Sequence, residues 1–201
     1  MHIGIIGSGH IGGNLGRLLA KAGHKVYFSF SHDGHKLEEL AASVGENAKP
    51  SSPYDAAMCS EVIIFAVPWT AVSEALHQSG PLEGKIVIDT TNPYDANFNL
   101  EPLEIGSSEC VARKIPDAQV VKAFNTLQAH KLLDKSGQGL AVFYCGDDPI
   151  AKRTVAQVIR DAGFEPVDTG RLHDGKKQEP NTPVFNRDMT VEEAREALAA
   201  V

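Results

Sequence analysis

Residues 1–30 read MHIGIIGSGHIGGNLGRLLAKAGHKVYFSF, and this stretch decides the fold. Ile3 to Ile6 is a short apolar run. Gly7 to Gly13 is the loop GSGHIGG, after which Ile11, Leu15, Leu18, Leu19 and Ala22 recur at the spacing of one helix face. Lys21 suits the negative end of that helix, Gly23 can take the left-handed cap, and Val26 to Phe30 returns as a second apolar run. A strand, a glycine loop, a helix and a returning strand make a βαβ unit, with Gly7, Gly9 and Gly12 forming GxGxxG at its turn. Each glycine has a physical reason there. Gly7 permits the tight turn, Gly9 lets a pyrophosphate approach the backbone, and Gly12 lets the helix pack close to the strand. Ser8 lies inside the loop, and the backbone amides near His10 and Ile11 face the phosphates at a positive helix end.

Working outward, further apolar runs fall at Val62 to Val67, Ile86 to Ile88, Val120 to Ala123 and Leu140 to Tyr144, alternating with segments of helical periodicity. This is the pattern of a mainly parallel sheet covered on both faces, a doubly wound α/β sheet of the Rossmann type. A later helix is marked by Asp147 or Asp148 as N-cap and Pro149 in the first turn. Its stripe is Ile150, Ala151, Val155, Val158, Ile159 and Ala162, followed by Gly163 and a last strand from Phe164 to Val167. From Arg171 to Arg187 the texture turns polar and carries Gly175, Pro180 and Pro183, so no regular element is expected. The chain is therefore read as a dinucleotide-binding domain over residues 1–172 and a C-terminal arm over 173–201, lying outside the sheet as an interface or pocket lid; the alternative is an arm that folds back on its own domain or forms a loose tail. Thr190 and Glu193 form a capping box for a short final helix, with an apolar stripe of Val191, Ala194, Leu198 and Val201.

Composition sets the class. With 42% hydrophobic and 22% charged residues among 201, the chain can bury a core, which excludes wholesale disorder. A net charge of −7 disfavours nucleic acid or an anionic membrane as the main partner. No apolar run approaches the roughly 20 residues of a membrane helix, and the first residues run straight into a strand, so a cytoplasmic location is expected. Cys59, Cys110 and Cys145 form no CxxC pair, which points to reduced, buried thiols and to neither disulfides nor a zinc site.

The choice of dinucleotide rests on the end of the second strand, where an acidic side chain would hold the ribose 2′-hydroxyl of NAD. Here stand Ser29, Phe30, Ser31 and His32, with no acid before Asp33, and Arg17, Lys21 and Lys25 are cationic. NADP(H) is therefore expected. Ser31 would donate its hydroxyl to the 2′-phosphate, His32 would donate a ring N–H or stack on the adenine, and Lys36 is an additional cation.

The loop GSGHIGG, FSHDGHKL (30–37), AVPW (66–69), DTTNPYD (89–95), VKAFNT (121–126) and CGDD (145–148) together resemble the deazaflavin-dependent NADP reductases. The cytosolic domains of the membrane ferric reductases called STEAP are similar. The resemblance implies hydride transfer between NADP(H) and a deazaflavin or flavin. It matches Ser31 and His32 to the 2′-phosphate pair, His32 standing where arginine is more common. It also matches Ala66, Val67 and Pro68 to a loop alongside the cofactor, Asn92 and Pro93 to the loop after the next strand, and Ala123, Asn125 and Thr126 to the nicotinamide side. Each segment follows the carboxyl end of an expected strand, where open α/β sheets bind ligands. Plainer readings stay open: Pro68 and Pro93 as strand ends, and Asn125 as the N-cap of a helix from Leu127 onward.

Hydride transfer to a planar ring asks the protein mainly for stacking geometry and exclusion of water, so no catalytic acid or base is singled out. Were the acceptor a carbonyl or imine, Tyr94, His130 or His10 would be the candidate proton donor. The tyrosines are followed four residues on by Ser31, Met58, Phe98 and Asp148, never lysine, which excludes the short-chain dehydrogenase pattern. HExxH and GxSxG are absent. The expected protein is an NADP(H)-dependent oxidoreductase acting on a small planar acceptor, and a homodimer in which the arm completes the acceptor pocket. The alternative is a non-catalytic NADP(H)-binding module that senses redox state or serves a partner.

Overall fold

The structure, a computed structural model, describes residues 1–30 and 33–199; Ser31 and His32, and the roles expected of them, lie outside the described residues. An eight-stranded sheet runs in the order β3-β2-β1-β4-β5-β6-β7-β8. Its strands are β1 (His2–Ile6), β2 (Lys25–Ser29), β3 (Ala48–Pro50), β4 (Val62–Phe65), β5 (Ile86–Asp89), β6 (Gln119–Ala123), β7 (Ala141–Gly146) and β8 (Glu165–Gly170). Every expected strand is present. The one not anticipated, β3, is three residues long and ends in Pro50, which a sheet tolerates at its edge.

All pairings are parallel except β6 with β7, which are antiparallel, while β8 runs parallel to β7. This reversal decides where the C-terminal segment goes. The carboxyl ends of β1, β4, β5 and β6 share one edge of the sheet, whereas β7 and β8 deliver their carboxyl ends toward the opposite edge.

Helices cover both faces. On one, α1 (His10–Lys21), α2 (Gly34–Val44), α6 (Ala129–Lys135) and α7 (Pro149–Asp161) enclose a core containing Ile5, Leu15, Phe28, Val121, Val155 and Phe164. On the other, α3 (Pro53–Met58), α4 (Val72–Ser79) and α5 (Ser107–Lys114) cover Ile6, Phe65, Val87 and Val120. The caps agree with the sequence: Asp148 accepts from the amides of Ile150 and Ala151 at 2.9 and 2.7 Å, with Pro149 in the first turn. Two residues of the expected stripes do not fit, since Ile150 of α7 is 64% exposed and Ala22, at the end of α1, is exposed as well. Cys145 is buried as expected, while Cys59 is exposed and Cys110 half-buried.

The arm is the main correction. Residues 172–178 form a 3-10 segment (Leu172–Gln178) whose Leu172, Gly175 and Gln178 are buried. It leaves β8 at the reversed edge and climbs back along the face of the sheet, packing against β7, β8, β6 and α5. Val184, Met189 and Ala194 then form a small core with Ala141, Phe143 and Val167 beneath α8 (Val191–Ala199). Thr190 and Glu193 make the expected capping box. The segment therefore lies on its own domain and not outside the sheet: its polar texture masked residues whose polar groups are paired inside the protein.

Candidate functional site

The crevice opens at the shared carboxyl edge, where the strand order reverses direction beside β1. A cavity of about 540 Å³ there is lined by residues including Gly7, Gly9, His10, Arg17, Lys36 and Pro68. Gly7 has φ +103°, and a Cβ on it would lie 2.4 Å from the Ala66 carbonyl oxygen. A Cβ on Gly12 would lie 2.1 Å from the Gly7 oxygen, so α1 could not pack this close to the loop with any larger residue. Gly9 differs from both: a Cβ there meets no protein atom within 4 Å. That open cradle faces a helix start with no side-chain cap and no acid in its first turn, an arrangement suited to a pyrophosphate. Ser8 is spent within the fold, donating to the Ser29 carbonyl at 2.8 Å. His10 is exposed and Ile11 half-buried.

The cations expected around the 2′-phosphate divide. Arg17 lines the cavity, as does Lys36. Lys21 ends α1 and Lys25 begins β2, donating to Asn47 at 2.7 Å, so both belong to the far edge of the sheet. Sequence proximity misled here, because a twelve-residue helix carries its last residue away from its first by about 1.5 Å per position. Asp33 also lines the cavity, where its carboxylate caps α2 through the amides of His35 and Lys36 and stands 3.9 Å from the Lys36 ammonium.

The other half of the crevice is built from side chains. Ala66 and the buried Val67 follow β4, and exposed Pro68 leads into the turn Trp69–Ala71. Trp69 donates its indole N–H to Glu101 at 2.7 Å, tying that turn to the hairpin that rises from Asn92 and Pro93. After β6, Phe124 takes φ +61°, unusual for an aromatic residue, and is held by full burial against Phe164. The turn it makes presents Asn125 and Thr126. Asn125 donates to Asn92 Oδ1 at 3.0 Å and to the Gln178 carbonyl at 2.7 Å, and accepts from Gln178 Nε2 at 3.0 Å. Asn125 is thus no helix cap; α6 begins after Gln128. Its amide is committed to neighbours, which makes it a brace between the loops after β5 and β6. Ala123 is fully buried in the core. By contrast the hydroxyls of Thr91 and Thr126, next to Asn92 and Asn125, are buried without a hydrogen-bond partner among the described residues. A third orphan, Ser60, precedes β4 at the opposite edge. Together the Gly9 cradle and the two threonine hydroxyls fit a dinucleotide laid across the edge of the sheet.

Beneath this wall lies a cluster that sequence reasoning missed. Lys122 is fully buried in β6. It donates to the Thr91 carbonyl at 3.0 Å and to Ser107 and Ser108 at 2.7 and 3.2 Å, with Asp89 and Glu179 carboxylates at 3.9 and 3.8 Å. Asp89 is fully buried as well, accepts from Ser108, and takes the Thr91 amide at 3.0 Å. The available signal was a charged residue within each apolar run, VVKA and IVID, since lone charges are rarely buried without partners. Burial pushes the neighbouring Cys145 thiol up to about 12, leaving it a packing group and no nucleophile. A further cavity of about 470 Å³, between α4 and the ends of α5 and Pro116, lies at the far edge and gathers no comparable chemistry.

Comparisons with known proteins agree with this geometry. The family described as NADP oxidoreductase, coenzyme F420-dependent, matches residues 2–93. The metalloreductase STEAP3 of Rattus norvegicus is 32% identical over 178 residues, 88% of this chain and 35% of the relative, so the chain spans about a third of that curated protein's length. The crystal structure of a hypothetical protein from Sinorhizobium meliloti is 32% identical, with a TM-score of 0.85 and coverage of 94% of this chain and 95% of that one. A protein of Arthrobacter sp. FB24 that carries the provisional description F420-dependent NADP-reductase is 27% identical, with a TM-score of 0.76 and 85% of each chain covered. The glycine loop lies inside the matched residues, and over most of its length the chain is similar to these structures, so what it resembles is the family of coenzyme F420-dependent NADP oxidoreductases.

Proposed function

We propose that the protein binds NADP(H) across the carboxyl edge of the sheet and transfers hydride between it and a planar acceptor, a deazaflavin or a flavin. The observation that carries the reading is the cradle at Gly9, open to a ligand while Gly7 and Gly12 on either side are packed against backbone. The cofactor supplies the hydride chemistry when bound. The chain's own residues do the rest. The first amides of α1 receive the pyrophosphate, Arg17 and Lys36 supply positive charge at the adenine end, and Ser31 and His32 are proposed for the 2′-phosphate. Pro68 and the Asn92–Asn125 brace border the nicotinamide, and the hydroxyls of Thr91 and Thr126 are proposed to meet its polar group.

Because the C-terminal segment packs on its own domain, it is proposed to shield this end from water in cis, and the homodimer expected from a free arm loses that motive. Titration should show NADPH binding at least several-fold more tightly than NADH, and steady-state oxidation of NADPH should occur with a deazaflavin or flavin from an acceptor panel. Equal affinities for the two dinucleotides would remove the NADP(H) assignment, and tight NADPH binding with no turnover on any acceptor would favour a sensing module instead.

A further inference from the structure

Resting on the reading of the crevice as an NADP(H) site, we propose that Gln178 is a positioning residue for its nicotinamide end, acting through Asn125 and Asn92. Glutamine is seldom fully buried, yet Gln178 has no exposed surface. It ends the 3-10 segment that climbs back from β8, and all of its side-chain polar atoms are engaged. Its Nε2 donates to Asn125 Oδ1 at 3.0 Å and to the Phe143 carbonyl at 3.3 Å, and its Oε1 accepts from the Thr169 hydroxyl at 2.8 Å. Its backbone carbonyl takes an N–H of Asn125 at 2.7 Å.

Asn125 passes this constraint on. It donates to Asn92 Oδ1 at 3.0 Å, and Asn92 returns a bond to the Asn125 carbonyl at 2.9 Å. Three amides thus form a chain from the C-terminal segment to the loops after β6 and β5. The next residue anchors the segment: the Glu179 carboxylate accepts from the amide and the hydroxyl of Ser107, both at 2.6 Å, and stands 3.8 Å from the Lys122 ammonium. Sliding the segment would break the contact of Glu179 with the buried Lys122 as well as the amide chain. Such networks hold their members jointly, because losing one partner leaves the others buried and unpaired. The two loops so fixed carry Thr91 and Thr126, whose buried hydroxyls have no hydrogen-bond partner among the described residues. The adenine end shares none of these bonds; its geometry comes from the glycine loop and α1.

The test compares two ligands, NADPH and 2′-phospho-ADP-ribose, which lacks the nicotinamide, by calorimetry on the full chain. Gln178→Met keeps the length and removes the amide. Thr169→Val keeps the volume and removes only the hydroxyl that Gln178 accepts, so it carries the test if the first variant does not fold. The expected result is a loss of NADPH affinity of about fivefold or more for Gln178→Met and a smaller loss for Thr169→Val. Affinity for the fragment should stay within about twofold in both. Unchanged NADPH affinity in both folded variants, or a parallel loss for the fragment, would overturn the proposal, the second outcome showing a merely structural role. Wild-type protein that binds neither ligand would instead overturn the reading of the crevice, a failure visible before any variant is made.

Discussion

The two halves of the crevice are made of different material. The half proposed for the adenine end is backbone: a loop whose glycines remove side chains, and the uncapped start of a helix. The half proposed for the nicotinamide is side chain: an amide relay of Asn92, Asn125 and Gln178 above a buried lysine flanked by two carboxylates. A backbone site tolerates no added atoms where it is packed and is indifferent to them where it is open. A side-chain site fails when one partner leaves. The two halves should therefore break differently, and the comparison can be tested at four places.

The largest expected effect is at Lys122. Lys122→Met removes the cation and leaves Asp89 and Glu179 without their shared partner, which should cost about 3–5 kcal/mol in a urea melt. In the protein that remains folded, 2′-phospho-ADP-ribose should still bind; loss of that binding as well would join the halves that the structure separates. Next comes Gly12→Ala. Its Cβ, placed 2.1 Å from the Gly7 oxygen, must force α1 away from the loop, at about 1–3 kcal/mol by thermal melting and with loss of NADPH binding.

A smaller effect is expected from acid. Asp174, in the 3-10 segment, has its carboxyl held below the usual range by the Lys177 ammonium first and the Arg171 amide next. A depressed folded pKa means stabilisation that is present above the unfolded value of about 3.9 and lost as pH falls through the lower folded value. Melting temperatures measured downward from about pH 5 should fall less steeply in Asp174→Asn than in the wild type; identical slopes would remove Asp174 as a contributor. The smallest stability effect belongs to Gly9→Val, within about 0.5 kcal/mol of the wild type, because its side chain meets no protein atom. The same variant should lose NADPH binding, and a folded Gly9→Val protein with normal affinity would break the backbone half of the comparison.

This difference of material also explains what the sequence revealed. A backbone site writes itself as spacing, so Gly7, Gly9 and Gly12 could be read together with the strand before them and the helix after. The apolar runs revealed the sheet for the same reason, as period and length are local properties. Lys122, Asp89 and Gln178 were not legible as a group, since their meaning lies in distant partners, such as Ser107, 15 residues from Lys122, and Asn125, 53 residues from Gln178. Residues 171–187 were misread because composition does not show whether polar atoms face water or each other. The loop after β6 stood between: its residues were identified, but the commitment of Asn125 to Gln178 needed the return of the chain to that spot.

The antiparallel step from β6 to β7 has a consequence for the order in which the protein is made. On a ribosome the chain emerges from its first residue, and β1, α1 and β2, with the whole phosphate-binding loop, are out before any of the reversed strands. The residues that brace the other end appear later, since the chain must finish β8 at the far edge before residues 172–179 can travel back to Asn125 and Ser107. Domains condense as their segments become available during synthesis. On the proposed reading of the crevice, a nascent chain paused just after β8 would carry a finished glycine-loop grip and an unbraced opposite end, so that capture of the dinucleotide would precede competence to use it.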